Sequence, residues 1–202
     1  MTETRVIETF GWDGRRFVRL DRHLARAVRT CAALGYPFEP MDVLVRLDAL
    51  PDAGPARVRM TVGAAGDVEV TQAPVVAAAG RWRVALSGER LRADAGWLRF
   101  KTTERALYDR VRAALPAGVD EMIFANERGE MCEGTIANVF FDAGAGLCTP
   151  PLDCGLLPGV LRAEMLETGR CREAILRAKD LGSVQLWVGN SLRGLIAADL
   201  VG

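Results

Sequence analysis

The chain has 202 residues, half of them hydrophobic and 26% charged, the balance of a globular protein long enough for one large domain or two small ones. Its 26 basic and 26 acidic residues cancel, so the charge favours neither a nucleic acid nor an anionic membrane as partner. No apolar run reaches the length of a membrane span, and the opening MTETRVIETF lacks the basic-then-apolar order of a signal peptide, so a cytoplasmic protein is expected.

Residues 5–10 read as a strand, Trp12-Asp13-Gly14 as a turn and residues 17–20 as the returning strand of a hairpin, since Asp-Gly supplies the positive φ that such turns need. Asp21 is placed to cap a helix that carries Leu24, Ala27, Val28, Cys31 and Leu34 at helical spacing and stops at Gly35. Pro40 opens a second helix with Val43, Leu44, Leu47 and Leu50 on one face. Residues 57–62 and 67–71 alternate as paired strands around a turn at 63–66, and residues 82–86 form another strand. Residues 75–80 are Ala-rich, and residues 88–96 are polar and irregular. The expected division is an N-terminal α+β domain over 1–90, a linker at 91–96 and a C-terminal domain over 97–202.

In the second half, Thr102 or Thr103 is placed to cap a helix reaching about residue 115. Strands follow at 122–125, 130–135 and 138–142, with turns at 126–129 and 143–146. Residues 150–159 are a Pro/Gly-rich loop, and residues 160–168 a helix ended by Gly169. A short strand at 186–188 leads into Gly189-Asn190-Ser191. The chain is an α+β protein with hairpins and few βαβ units.

The five cysteines are odd in number and form no CxxC pair, so free thiols in or near the core are expected. The spacings of Cys132, Cys148 and Cys154 fit no common zinc module, and His23 is the only histidine. No P-loop, dinucleotide fingerprint or nucleophile elbow is present.

Lysine is scarce: only Lys101 and Lys179 occur among 26 basic residues. Condensation with an aldehyde needs a primary amine, which arginine cannot supply. Lys101 follows the apolar run 97–100 at a strand-to-helix junction, where its amine can be desolvated. Read locally, it is equally a solvated lysine at a helix start. Glu133 stands inside a strongly apolar strand pair, where a carboxylate is costly without a partner. A protonated pyridine nitrogen would be such a partner; an edge-strand glutamate facing water is the other reading. Leu157-Pro158-Gly159-Val160 runs into a helix whose first N–H groups can seat a phosphate, with an arginine such as Arg26 completing the site. Arg26 alone also fits a solvated helix face, and Gly189-Asn190-Ser191 also fits a plain turn.

Four pieces in order carry a resemblance: Arg-His-Leu-Ala-Arg (22–26), Lys-Thr-Thr-Glu-Arg-Ala-Leu-Tyr-Asp (101–109), Glu-Gly-Thr-Ile-Ala-Asn-Val-Phe (133–140) and Leu-Leu-Pro-Gly-Val-Leu-Arg (156–162). Together they resemble the class IV (branched-chain-type) aminotransferases, enzymes dependent on pyridoxal 5'-phosphate (PLP). The resemblance implies the α+β two-domain fold of the class IV, D-amino acid and branched-chain aminotransferase-like PLP enzymes. It implies that Lys101 is the Schiff-base lysine and general acid/base, Glu133 the carboxylate on the pyridine nitrogen and Arg26 the phosphate arginine. Val160 and Leu161 would be backbone donors to phosphate with Asn190 and Ser191 beside them. Thr135 and Ile136 would lie along the ring, and Tyr108 would face the same cavity as Lys101. The chain departs from the common pattern at Leu161, where a threonine is usual.

Further cues, Ile-Glu-Thr near the start, Lys-Thr-Thr and Asn-Ser-Leu-Arg-Gly, are similar to the branch that cleaves 4-amino-4-deoxychorismate. That branch yields 4-aminobenzoate and pyruvate for folate synthesis. There Thr9 would assist proton transfer, and Arg105 or Arg193 would meet substrate carboxylates. The resemblance also implies a homodimer and a functional link to aminodeoxychorismate synthase. A transaminase acting on branched-chain or D-amino acids and a non-catalytic PLP-fold binding protein remain the alternatives.

Overall fold

A computed structural model describes residues 3–51, 54–75 and 80–202. The chain forms two compact units, Met1–Ala77 with Phe100–Glu104 and Ala78–Arg99 with Arg105–Gly202. The residues expected as a linker, 91–96, form the end of one strand and the turn after it, inside the second unit. Most of the Ala-rich stretch at 75–80 lies outside the described residues.

The first unit is a three-stranded antiparallel sheet, β1 (Val6–Trp12), β2 (Ala56–Val62) and β3 (Val68–Pro74), in the order β1-β2-β3. Helices α1 (Leu20–Leu34) and α2 (Pro40–Asp48) share its core. Alternating residues of β2, Val58, Met60 and Val62, are buried in one cluster with Val6, Phe10, Ala27, Cys31 and Val43. Of the hairpin expected from Asp13-Gly14 only the tip forms: Asp13 N–H donates to Arg16 O at 3.2 Å and Val18 N–H to Gly11 O at 2.8 Å, and the chain enters the helix at Leu20 in place of a returning strand to that residue. β1 pairs along its length with β2, and only a single bridge joins Trp12 to Phe17. Asp13 Oδ1 accepts the N–H groups of Arg15 and Arg16, turning the chain into α1. The helix starts one residue before Asp21, behind Arg19 in the left-handed region at φ 56°, and Asp21 lies in the first turn. Gly35, at φ 71°, ends α1 as expected.

The segment around Lys101 is extended, not helical. Ile7 N–H donates to Lys101 O at 2.7 Å, and Thr103 N–H to Arg5 O at 2.9 Å, so the segment runs beside β1. These backbone bonds take the place of a helix cap at Thr102 or Thr103, and helix α3 spans Ala106–Ala113.

The second unit is built on eight strands: β4 (Trp82–Leu91), β5 (Glu121–Asn126), β6 (Met131–Gly134), β7 (Asn138–Asp142), β8 (Cys148–Thr149), β9 (Arg172–Glu173), β10 (Gln185–Asn190) and β11 (Gly194–Leu200). Their order is β10-β11-β4-β5-β6-β7-β8-β9, and an extra pairing of β10 with β7 closes six of them into a barrel. β4 runs parallel to β5 and β11; the other pairs in the ring are antiparallel. Ile123, Met131, Val139, Phe141, Val188 and Ile196 fill one core. Helix α4 (Val160–Glu167) packs on β10 through Leu161. No helix among the described residues is long and apolar enough to cross a membrane.

Candidate active site

Two clusters of buried polar side chains stand out, one in each unit. In the first unit Glu8, on β1, is 1% exposed and lies in an otherwise apolar strand. Helix α1 presents His23 and Arg26 three residues apart, on one face. Arg26 grips the Glu8 carboxylate with both prongs, Nε to Oε1 at 2.8 Å and Nη2 to Oε2 at 2.6 Å. His23 Nδ1 lies 2.6 Å from Glu8 Oε2. Burial alone pushes the Glu8 carboxyl up; the charge and hydrogen bonds of Arg26, with His23, overturn this and bring it down to about 2. Burial lowers His23 below its ordinary value against the pull of Glu8, and the positive charges of Arg26 and Lys101 push the same way. Arg26 is 6% exposed, which rules out the solvated-face reading. The structure thus brings Arg26 and the half-buried Lys101 into one electrostatic neighbourhood. Thr9 follows Glu8 on β1, opposite Arg59.

In the second unit Glu133, on β6, is 6% exposed and therefore not an edge residue facing water. Tyr108 Oη, from α3, donates to Glu133 Oε1 at 2.7 Å. The following turn, Thr135-Ile136, is held on both sides. Glu121 accepts both of its N–H groups. Arg105 Nη2 donates to Thr135 O at 3.0 Å and Asn190 Nδ2 to Ile136 O at 3.1 Å. Asn190 Oδ1 also accepts from Leu192 N–H and Arg193 N–H, so it pins the turn after β10, beside the buried Ser191. Arg105 further donates to Asp109 at 2.7 Å and lies over the Tyr108 ring, while Arg193 lies over the Trp82 ring.

Val160 and Leu161 open α4 behind Gly159. The N–H groups of a first helical turn have no intrahelical acceptor, so they face whatever lies before the helix. Gly159 leaves no room for a side chain: a Cβ there would lie 1.8 Å from Asn138 Oδ1. Asn138 in turn donates to Leu157 O at 3.0 Å and fixes the loop entering the helix.

PLP presents an aldehyde, a pyridine nitrogen and a phosphate. The first unit carries a primary amine, Lys101, and a buried arginine, Arg26; the second carries a buried carboxylate with a donor of its own, Glu133, and a glycine-cradled helix start at Gly159, each a side chain or backbone of the kind that one of those groups needs. Glu8, Glu121, Arg112 and Asn138 are additions that the sequence reading lacked. The available signal for the first two was a glutamate set in an apolar strand, in Val-Ile-Glu-Thr-Phe and Glu-Met-Ile-Phe. All five cysteines are free and buried, and no group of three or more His, Cys, Asp or Glu among the described residues could hold a metal.

The family model for class IV amino-transferases matches residues 5–201. The chain belongs to that family. Class IV enzymes depend on PLP, and the fold is theirs. A Schizosaccharomyces pombe protein named "Putative aminodeoxychorismate lyase" is 32% identical over 181 residues, covering 86% of this chain and 78% of that one. A solved structure from Mesorhizobium loti, described as a "Putative amino-acid aminotransferase", is 46% identical with a TM-score of 0.92, covering 98% of this chain and 100% of that one. The 4-amino-4-deoxychorismate lyase of Pseudomonas aeruginosa shares the fold at 22% identity and a TM-score of 0.81, over 97% of this chain and 82% of that one.

Proposed function

We propose that this class IV enzyme is a cytoplasmic lyase that converts 4-amino-4-deoxychorismate to 4-aminobenzoate and pyruvate for folate synthesis. The observation that carries the chemistry is the buried Glu133 carboxylate with its Tyr108 donor. The choice of lyase is supported by the name of the Schizosaccharomyces pombe relative.

Bound PLP supplies an aldehyde that condenses with amines and a ring that accepts the electron pair left by a departing proton. Lys101 contributes the primary amine. Lys101 would hold PLP through this amine, and its Nζ, once free, would serve as the general acid/base that moves the proton of the carbon next to the substrate amine, the step that lets pyruvate leave and the carbocycle become aromatic. Glu133 would hold a proton on the ring nitrogen and so favour a positive ring, and Tyr108 donates to that carboxylate. Arg26, held by Glu8, would bind the phosphate, and the Val160 and Leu161 N–H groups would donate to it, with Asn190 and Ser191 as further cofactor-binding candidates. Thr135 and Ile136 would flank the ring. Thr9 assists proton transfer. Arg105 or Arg193 would meet a substrate carboxylate; Arg105 also holds Asp109 and Thr135 O.

A transaminase is the second reading, favoured by the Mesorhizobium loti structure at 46% identity. One experiment separates the two. The purified enzyme is given 4-amino-4-deoxychorismate and, separately, branched-chain and D-amino acids. A lyase releases 4-aminobenzoate and pyruvate and leaves the bound cofactor in its aldehyde form. Rapid conversion of the cofactor to its pyridoxamine form by an amino acid contradicts the lyase reading. A protein that does neither is a binding protein. Sedimentation at twice the chain mass tests the homodimer, and co-purification with aminodeoxychorismate synthase tests that partner.

A further inference from the structure

The turn Gly134-Thr135-Ile136 after β6 rests on one buried carboxylate. Glu121, the first residue of β5, is 0% exposed. Its Oε1 accepts from Thr135 N–H at 3.0 Å and from Thr135 Oγ1 at 2.5 Å. Its Oε2 accepts from Ile136 N–H at 3.2 Å. Arg112 Nη1 lies 3.6 Å from Oε1 and also donates to Thr135 Oγ1 at 3.1 Å. The approach is close enough to dictate sequence: a Cβ at Gly134 would lie 2.9 Å from Glu121 Cγ and Cδ.

The two carbonyls of the turn are held from the other side. Thr135 O accepts from Arg105 and Ile136 O from Asn190. Four backbone groups in two residues are thus fixed by three side chains from β5, the start of α3 and β10. Burying a carboxylate is a costly way to build a tight turn, and an apolar filling is often as stable or more so. What the carboxylate adds is direction, because its two oxygens define where both N–H groups point.

We propose that Glu121 is a positioning residue for the cofactor ring. It sets the backbone of Thr135 and Ile136 and, through Gly134, the aim of Glu133. The inference rests on the cofactor roles given above to Glu133, Thr135 and Ile136. Glu121 touches neither cofactor nor substrate and acts through the turn.

The test is PLP titration of the full chain, followed by absorbance, with thermal denaturation of the PLP-free protein in parallel. Glu121→Gln keeps an acceptor for Thr135 but can turn an amide N–H toward Ile136 N–H, releasing that end of the turn. The expected result is PLP binding weaker by about tenfold or more, the scale of one lost charged hydrogen bond, with a shifted absorbance maximum for the bound cofactor. Glu121→Asp keeps the charge but withdraws the oxygens by one methylene, and is expected to weaken PLP in the same direction if the Gln variant does not fold. Variants that bind PLP as tightly as the wild type, with the same spectrum and only a lower melting temperature, overturn the proposal and leave Glu121 a structural residue. A wild type that takes up no PLP overturns the cofactor reading itself, and this role with it.

Discussion

Tyr108 Oη donates to Glu133 Oε1 at 2.7 Å in the interior of the second unit. The phenol ring is fixed edge-on between Trp97 and Phe124, with centroids 5.7 Å and 5.4 Å away. Burial, and then the Glu133 charge, push the phenol far above its ordinary range, so it remains a donor at every working pH. Tyr108→Phe keeps the ring and removes the donor, leaving a buried carboxylate short of one partner. Thermal denaturation should show a loss of about 1–3 kcal/mol, and turnover should fall with little change in KM.

The Glu8 cluster predicts the pH dependence of stability. Glu8 is lowered from 4.5 to about 2, so its contribution is complete above about 4.5 and is lost as pH falls toward 2. That shift corresponds to about 3 kcal/mol. His23 is also depressed, so its contribution is full above about 6.5 and fades as pH falls below that. Both act in one direction. Melting temperature measured from pH 7 to pH 3 should decline, most steeply below about 4.5. Glu8→Gln should be less stable at pH 7 and show a flatter acid limb.

The Gly159 cradle makes a steric prediction. Gly159 has an ordinary φ of −66°, so alanine meets no backbone strain there, only Asn138 Oδ1 at 1.8 Å. Gly159→Ala must displace Asn138 and with it the bond to Leu157 O. PLP affinity, read by absorbance titration, should fall by about tenfold or more, while Gly182→Ala, where no left-handed φ is required and an added Cβ meets nothing within 4 Å, should leave it unchanged.

Burial raises the thiols of Cys31 and Cys154 to about 11, and those of Cys132 and Cys171 also rise. Iodoacetamide at pH 7.5 should therefore label these four slowly in the folded protein and quickly after denaturation. Fast native labelling at Cys132 or Cys154 would contradict the buried arrangement.

Much of the fold was legible where local pattern and burial agree. Pro40 and the 43/47 spacing gave α2, and the alternation of residues 57–62 gave β2. The Asp13-Gly14 turn and the return at Phe17 are legible from their own residues, but local turn chemistry cannot reveal that residues 56–62 pair with β1 along its whole length. Lys101 was read as the edge of a helix because two threonines resemble caps; its pairing with β1 depends on contacts about ninety-five residues away in sequence. β11 went unread because Gly194–Leu200 gains its strand character from β10 and β4 on either side. In the candidate site, residues whose chemistry is unusual for their setting, Lys101 and Glu133, could be singled out from sequence. Glu8 and Glu121 carry the same signal as Glu133, a glutamate in an apolar strand, but not their roles, because their importance lies in what they hold: Arg26 in one case, the Thr135–Ile136 backbone in the other.

The central claim is that Lys101 carries PLP. The most direct measurement is the visible absorbance of the purified protein after addition of PLP and gel filtration, for wild type and Lys101→Ala. The account predicts a yellow wild type whose band persists through the column, a cofactor left irreversibly attached to Lys101 after borohydride reduces the imine, and no such band in Lys101→Ala. A colourless wild type, or a band that survives in Lys101→Ala, contradicts it.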